Sequence, residues 1–286
     1  MFYPHVVNSI TVIGSVNLDL IASAPRLPVA GETVTDAVLA THPGGKGANQ
    51  ALAARRMGAE VAMIGRVGSD SNAAQALALL RAEGVNLDGV KVDETAATGV
   101  AMIVVDADGE NQIVVAPGAN RMMTPDDVHT GDEDALICQL EIPLEVVAEA
   151  GRRANGLFCL NAAPVRPLPD GLLETVDLLV VNEIEARQLG DGIHMTGGLV
   201  AITMGSAGAR LYRAGHKIGS AEPPPVEVVD TVGAGDAFVG AMVASLVAGH
   251  REQQSLQRAV IAGALATTVR GAQPSLPHLA MVEDLL

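Results

Sequence analysis

The chain has 286 residues, 49% of them hydrophobic and 18% charged, which supplies a large core and leaves no polar low-complexity tract that would read as disorder. Eighteen basic against 33 acidic residues give a net charge of -15, which repels nucleic acid and anionic membranes. An anionic ligand would have to be met by a metal ion, backbone amides and a few local cations.

The opening "MFYPHVVNSI" has no basic leader, and the longest apolar helix, "AFVGAMVASLVAG", is too short for a bilayer. A cytoplasmic protein is expected, with no nucleic-acid or membrane partner. Cys138 and Cys159 lie in apolar strand-like runs and read as reduced, buried thiols.

In chain order, β-branched runs alternate with Ala-rich segments: "ITVIGSV", "ANQALAARRMGA", "VAMIGRVG", "NAAQALALLRAEG". The alternation resumes at "ALICQLE", "PLEVVAEAGRRA", "GLFCLNAAP", "VDLLVVNE", "EARQLG" and "LVAITMG", and two helices over 235–249 and 252–269 close the chain. That pattern predicts βαβ units around a mainly parallel sheet. Residues 16–43 and 98–117 break it, reading as strands and a hairpin turning at Asp108-Gly109 without helices between them. We expect a single α/β domain over 1–286 with a small sheet inserted from about 16–43 and 91–117. A sheet without helices on its faces must cover a partner or a ligand cleft.

The stretch "VDTVGAGDAF" places Gly233, Ala234 and Gly235 between a strand and a helix, with Asp236 at the end of the turn. Glycines there let the backbone approach an anion while the first helical amides point outward. The carboxylate would take a proton from an attacking hydroxyl, as phosphoryl transfer to an alcohol requires. Taken alone, the stretch reads equally as a tight turn capped by Asp. "GGKGAN" lacks the spacing of a phosphate loop of the G-x-x-x-x-G-K-[ST] type, and "VIGSVNLD" carries one glycine where a dinucleotide fold wants three.

Other segments carry polar groups of the same kind. Asn17 and Asp19 follow the first strand at alternate positions, so both face one way, or else form an Asx turn. Gly44, Gly45, Lys46 and Asn49 sit on a second glycine turn that opens a helix, where a ligand can reach backbone, amide and ammonium. Glu141 ends an apolar strand. Asn182 and Glu185 read as an N-cap with its first-turn acid, and Thr203, Gly205 and Gly208 as a β-turn.

Six segments in order, "GSVNLDL", "PGGKGANQALAARRMGA", "QLEIPLE", "VVNEIEA", "ITMGSAG" and "DTVGAGDAFVGA", span nearly the whole chain and resemble the motif set of the ribokinase (pfkB-type) family of carbohydrate kinases. The resemblance implies a three-layer αβα body with a β-sheet lid, and transfer of phosphate from ATP with Mg2+ to a sugar hydroxyl. It implies Asp236 as base, the amides of Gly233, Ala234 and Gly235 as anion hole, and Asn17, Asp19, Gly44, Gly45, Lys46, Asn49 and Glu141 around the sugar. Asn182, Thr203, Gly205, Gly208 and Gly235 would then meet the nucleotide, with Glu185 ordering Mg2+ through water. A monovalent cation, K+, would sit by Asp230, Val232, Thr267, Gly271 and Ser275. A homodimer through the lid sheets is implied as well.

The few aromatic residues, Phe2, Tyr3, Phe158, Tyr212 and Phe238, all lie outside the expected lid strands, so a stacking platform for a nucleoside base is missing there. The resemblance of "NLD" and "GGKGANQ" to the ribokinase branch implies D-ribose as the first-choice acceptor, ahead of fructose, deoxyribose, pseudouridine and adenosine; a non-catalytic sugar or nucleotide sensor is the rival of another class. Two departures stand out: "LGDGIHMTGG" and "TPDDVHTGDEDALICQLE" are shorter than the family's usual segments, which touches the outer covering of the sheet rather than the chemistry. "VIAG" at 260–263 replaces the larger or polar side chains that relatives often place by adenine.

Overall fold

The structure is a computed structural model describing residues 8–286; Phe2, Tyr3 and most of the opening stretch lie outside the described residues. In chain order the strands are β1 (Ser9–Ile13), β2 (Asn17–Ser23), β3 (Val38–Gly44), β4 (Glu60–Gly68), β5 (Asn86–Asp93), β6 (Gly99–Val105), β7 (Asn111–Ala116), β8 (Ala135–Gln139), β9 (Leu157–Asn161), β10 (Leu178–Asn182), β11 (Leu199–Thr203), β12 (Ala209–Arg213) and β13 (His216–Ala221). The helices used below are α1 (Lys46–Arg56), α2 (Ser71–Ala76), α3 (Ala78–Ala82), α4 (Leu144–Arg153), α5 (Glu183–Leu189), α6 (Ala234–Val247), α7 (Glu252–Ala266) and α8 (Ala272–Ser275).

Nine strands form the large sheet in the order β13-β12-β11-β10-β9-β8-β1-β4-β5. Pairing is parallel from β11 across to β5, and the β12 and β13 hairpin adds two antiparallel strands at one edge. Parallel strands buried on both faces read as continuous apolar runs, which explains "ALIC" and "LLVV". The period of two then divides them: Ala135, Ile137, Cys159, Leu178 and Val180 face α1, α6 and α7, while Leu136, Cys138, Phe158, Leu160, Leu179 and Val181 face α4. Burying each Leu or Phe contributes about 1.5–3 kcal/mol. Helix α6 is apolar nearly all round because it is enclosed by α1 and α7. Cys138 and Cys159 are free and fully buried, and desolvation pushes both thiols well above their ordinary range.

The second face is covered more thinly. "LGDGIHMTGG" forms one 3-10 helix, Gly190–Met195, whose Ile193 joins that face's core. In the other short segment, Pro125–Asp127 forms a 3-10 turn, and buried Asp127 accepts from Arg66 of β4 at 3.1 Å and Lys91 of β5 at 2.7 Å. One carboxylate thus pins a short segment that has no long helix to hold it.

The small sheet has the order β3-β2-β6-β7. Lys91, Val92 and Asp93 pair with β4 in the large sheet, so the second group of small-sheet strands starts at Gly99 rather than near residue 91. Asn17 of β2 lies opposite both Gly44 of β3 and Gly99 of β6. The register therefore gathers three chain segments where the small sheet joins the body.

Candidate active site

Gly233 caps α6 with φ 85, a left-handed conformation suited to glycine, and a Cβ there would lie 3.0 Å from Ala272 Cα. Of the amides behind it, Ala234 N donates to Thr231 O at 3.3 Å. Among the described residues no protein acceptor meets the N–H of Gly233, Gly235 or Asp236. Space beside Gly235 is open, with nothing within 4 Å of where a Cβ would stand. The N–H groups left free at the start of α6 are therefore those of Gly233, Gly235 and Asp236, whereas the Ala234 N–H is committed to the turn.

Asp236 is buried, and both its oxygens are taken: Oδ2 accepts from Asn49 Nδ2 at 2.9 Å and Oδ1 from Gln50 Nε2 at 2.9 Å. A carboxylate has about four lone-pair positions, so two remain for a ligand hydroxyl. Asn49 Oδ1 is buried without a partner. An unpartnered buried acceptor costs about 1–3 kcal/mol, and a donating ligand would recover it.

Asn17 and Asp19 belong to β2 rather than to a turn after β1. Both are buried. Gly44 lies across from them, and a Cβ on it would stand 2.3 Å from Asp19 Oδ2, so only glycine leaves room for that carboxylate. Burial, reinforced by the charges of Glu141 and Asp236, raises the Asp19 pKa to about 7.

Glu141 Oε2 accepts from Ser15 Oγ at 2.5 Å and from Lys46 N at 3.1 Å. It thereby serves the N-terminus of α1, where Gly45 at φ 87 offers no side-chain cap. Burial works against the Lys46 ammonium, but Asp236, Glu141 and Glu185 outweigh it and hold its pKa above the usual lysine range. One cation is shared among three carboxylates.

On the other side, Asn182 and Glu185 form a reciprocal capping box on α5: Asn182 Oδ1 accepts from Glu185 N at 2.8 Å, and Glu185 Oε2 accepts from Asn182 N at 2.8 Å. Glu185 Oε1 stays outside the box, a hard oxygen of the kind Mg2+ takes. Thr203 ends β11, directly beside Asn182 in the parallel ladder, and Gly205 and Gly208 bracket the 3-10 turn into β12. Of "VIAG", Val260, Ile261 and Ala262 are buried core, and Gly263 packs against Ala234 O.

The segments carrying Asp230, Val232, Thr267 and Gly271 meet. Asp230 accepts from Val232 N at 3.0 Å and from Gly271 N at 2.9 Å, tying two loops together. The Thr267 carbonyl already accepts from Val229 N at 2.8 Å and Asp230 N at 3.1 Å, so its lone pairs are committed to the loop. Ser275 Oγ donates to Ala272 O at 2.8 Å and keeps its own lone pairs.

Residues 7–279 match the model of the pfkB family carbohydrate kinases. The chain belongs to the pfkB family of carbohydrate kinases. It is 39% identical to the ribokinase of Bacillus subtilis, over 97% of this chain and 99% of that protein. Among solved structures it resembles the ribokinase of Thermotoga maritima, with a TM-score of 0.88, 27% identity and coverage of 97% and 98%. It also resembles the Arabidopsis thaliana ribokinase complexed with ribose and ATP, with a TM-score of 0.86, 30% identity and coverage of 98% of each chain. The three-layer body with a small second sheet is the ribokinase fold.

Sequence reasoning missed several polar residues that bond to these groups or border them. Asn120, after β7, accepts from Val16 N at 2.9 Å and donates to Val16 O at 3.1 Å and to Asn17 Oδ1 at 2.8 Å. It orients Asn17 so that the Asn17 amide N–H groups face away from it. Ser15, Gln50, Gln139 and Asn161 also escaped notice. A polar residue inside an apolar run was the available signal for Gln139; for Asn120 there was none.

Proposed function

We propose that this pfkB carbohydrate kinase transfers the γ-phosphate of ATP to the hydroxymethyl oxygen of D-ribose, giving ribose 5-phosphate. The observation that carries the reading is Asp236: a buried carboxylate in the first turn of α6, beside amides without acceptors and in hydrogen-bond contact with Asn49. Asp236 accepts the hydroxyl proton as the oxygen bonds to the γ-phosphorus and the bond to the β-phosphate bridge breaks. The N–H groups of Gly233, Gly235 and Asp236 and the Lys46 ammonium hold the charge that develops on the phosphoryl oxygens. Mg2+, when bound with ATP, supplies further positive charge at those oxygens, and Glu185 Oε1 is the carboxylate oxygen fitted to hold it through water. Asn182, Thr203, Gly205 and Gly208 line the nucleotide side.

Ribose is favoured over a nucleoside because the acceptor side is made of Asn17, Asp19, Asn49 and Asp236, and the lid strands carry no Phe, Tyr or Trp to stack on a base. The similarity to bacterial and plant ribokinases supports the same choice. K+ fits beside α8, where the Val232 and Gly271 carbonyls, Asp230 and Ser275 supply oxygen, with Thr267 the weakest member of the set. The chain acts as one kinase domain, with the β3-β2-β6-β7 sheet as lid. A homodimer through the face of that sheet opposite Asp19 would cover Leu39, Met102 and Val114, which are 67%, 47% and 62% exposed. Among the described residues no helix is long and apolar enough to cross a membrane, and a cytoplasmic location is part of the proposal.

The test is ADP release with MgATP and potassium across pentoses, hexoses and nucleosides, with product phosphorus NMR to locate the phosphate. Ribose should show the highest kcat/KM and yield the 5-phosphate. Saturable sugar binding without ADP release would replace the reading with a sensor.

A further inference from the structure

Gln50 of α1 is fully buried, and its amide touches three other polar side chains. Nε2 donates to Asp236 Oδ1 at 2.9 Å and to Asn161 Oδ1 at 3.0 Å, while Gln139 Nε2 donates to Gln50 Oε1 at 2.7 Å. Chemistry fixes the direction. Asn161 gives its own Nδ2 to Val180 O at 3.1 Å, which turns Oδ1 toward Gln50, and an ionised carboxylate only accepts. Two acceptors therefore flank one end of the Gln50 amide, and a donor from β8 closes the other. Gln139 Oε1 is left buried without a partner. An apolar pair would fill this space without an orphaned acceptor, so packing alone does not account for the two glutamines.

We propose that Gln50 is the positioning residue of the phosphoryl-transfer base. With Asn49 on Oδ2 and Gln50 on Oδ1, the plane of the Asp236 carboxylate is set from two sides, and the remaining lone pairs are aimed at the acceptor hydroxyl. Asn161 acts through Gln50 by drawing Nε2 to the Asp236 end of the amide, whereas Gln139 only closes the far end from β8. The proposal rests on the reading of Asp236 as the base.

Gln50→Met keeps the volume and removes the donor. A misplaced reacting group costs on the order of 10²-fold, so kcat should fall about 10- to 100-fold. KM for ribose and for ATP should stay within about threefold, because the lost contact serves the transition state rather than ground-state binding. Gln139→Met removes a buried amide of the same size but leaves Gln50 held by Asp236 and Asn161; its melting temperature should fall comparably and its kcat by less than about fivefold. If Gln50→Met does not fold, Asn161→Ala carries the test, with kcat down about three- to tenfold at unchanged KM.

Unchanged kcat in the Gln50 variant, or in Asn161→Ala where that stands in for it, overturns the proposal. So does a loss no larger in Gln50→Met than in Gln139→Met. Asp236→Asn is run alongside: if it keeps wild-type turnover, the base reading itself has failed, whereas an inactive Asp236→Asn with an unslowed Gln50→Met removes only the role of Gln50.

Discussion

On the proposed acceptor side, Asn17, Asp19, Asn49 and Asp236 are buried; Asn49 and Gln50 donate to Asp236 and Asn120 donates to Asn17, while Asp19 and Asn49 Oδ1 keep free acceptor positions. On the proposed nucleotide side, Asn182 and Gly205 stand in solvent, Glu185 and Thr203 are partly exposed, and polar groups of Asn182 and Glu185 satisfy each other in a helix cap. The acceptor half is shaped before a ligand arrives, so its hydrogen bonds work in a medium where water competes little. The nucleotide half rests on its own cap and must exchange those bonds, or add to them, when a ligand binds. Loss of one group should therefore be severe on the first side and mild on the second.

The largest effect tests the base. Asp236→Asn should lower kcat about 10²- to 10⁴-fold with the circular dichroism spectrum retained, measured by coupled ADP release. Retention of even a tenth of wild-type turnover would break the comparison at its centre.

Asp19 tests what burial costs. Its folded pKa of about 7 lies above the ordinary 3.8, so the folded chain holds the proton more tightly than the unfolded chain. Below pH of about 4 both states are protonated and there is no penalty; as pH rises from about 4 to 7 only the unfolded chain ionises, and stability falls. Above pH 7 the full cost, on the order of a few kcal/mol, is present. Asp19→Asn should thus raise the melting temperature of the ligand-free protein at pH 8, with the gain vanishing near pH 4, while ribose KM rises. A gain that is the same at every pH would contradict the assigned cause.

Asn120→Leu sharpens the contrast between halves. Losing the groups that orient Asn17 should raise ribose KM about tenfold or more, at the 1–3 kcal/mol typical of a broken buried hydrogen bond, while ATP KM stays level. Equal rises in both constants would argue for a general loosening instead. The smallest effect belongs to Asn182→Ala, which removes a helix cap worth about 1 kcal/mol. Thermal unfolding should register that loss, ATP KM should rise modestly, and ribose KM should not move; a change confined to ribose KM would reverse the assignment of sides.

Much of this site was legible in the chain because its signals are local. The glycine turns at 44–45 and 233–235 each hold one residue, Gly45 and Gly233, in backbone that few residues other than glycine adopt, and the acids and amides beside them follow within one helical turn. The reading of Asn182 as an N-cap with Glu185 in the first turn came from the residue types at a helix start, and the structure has that cap. Legibility failed where a residue acts across the fold. Asn120 reaches Asn17 over 103 residues and Gln50 reaches Asp236 over 186, and neither distance leaves a mark on neighbouring sequence. The Asp19 shift was equally hidden, since it depends on burial and on the charges of Glu141 and Asp236, both distant along the chain.

By itself, the sequence determined the alternation of strands and helices, the two glycine turns and the set of polar residues at strand ends, because propensity and periodicity act over a few residues. The packing of α1 on α6 decided which of those polar groups meet: Asn49 and Gln50, adjacent on one helix, each take one oxygen of Asp236 on the other. A hydrogen bond requires about 3 Å between groups that chain spacing leaves free, and only the closed core brings them that near.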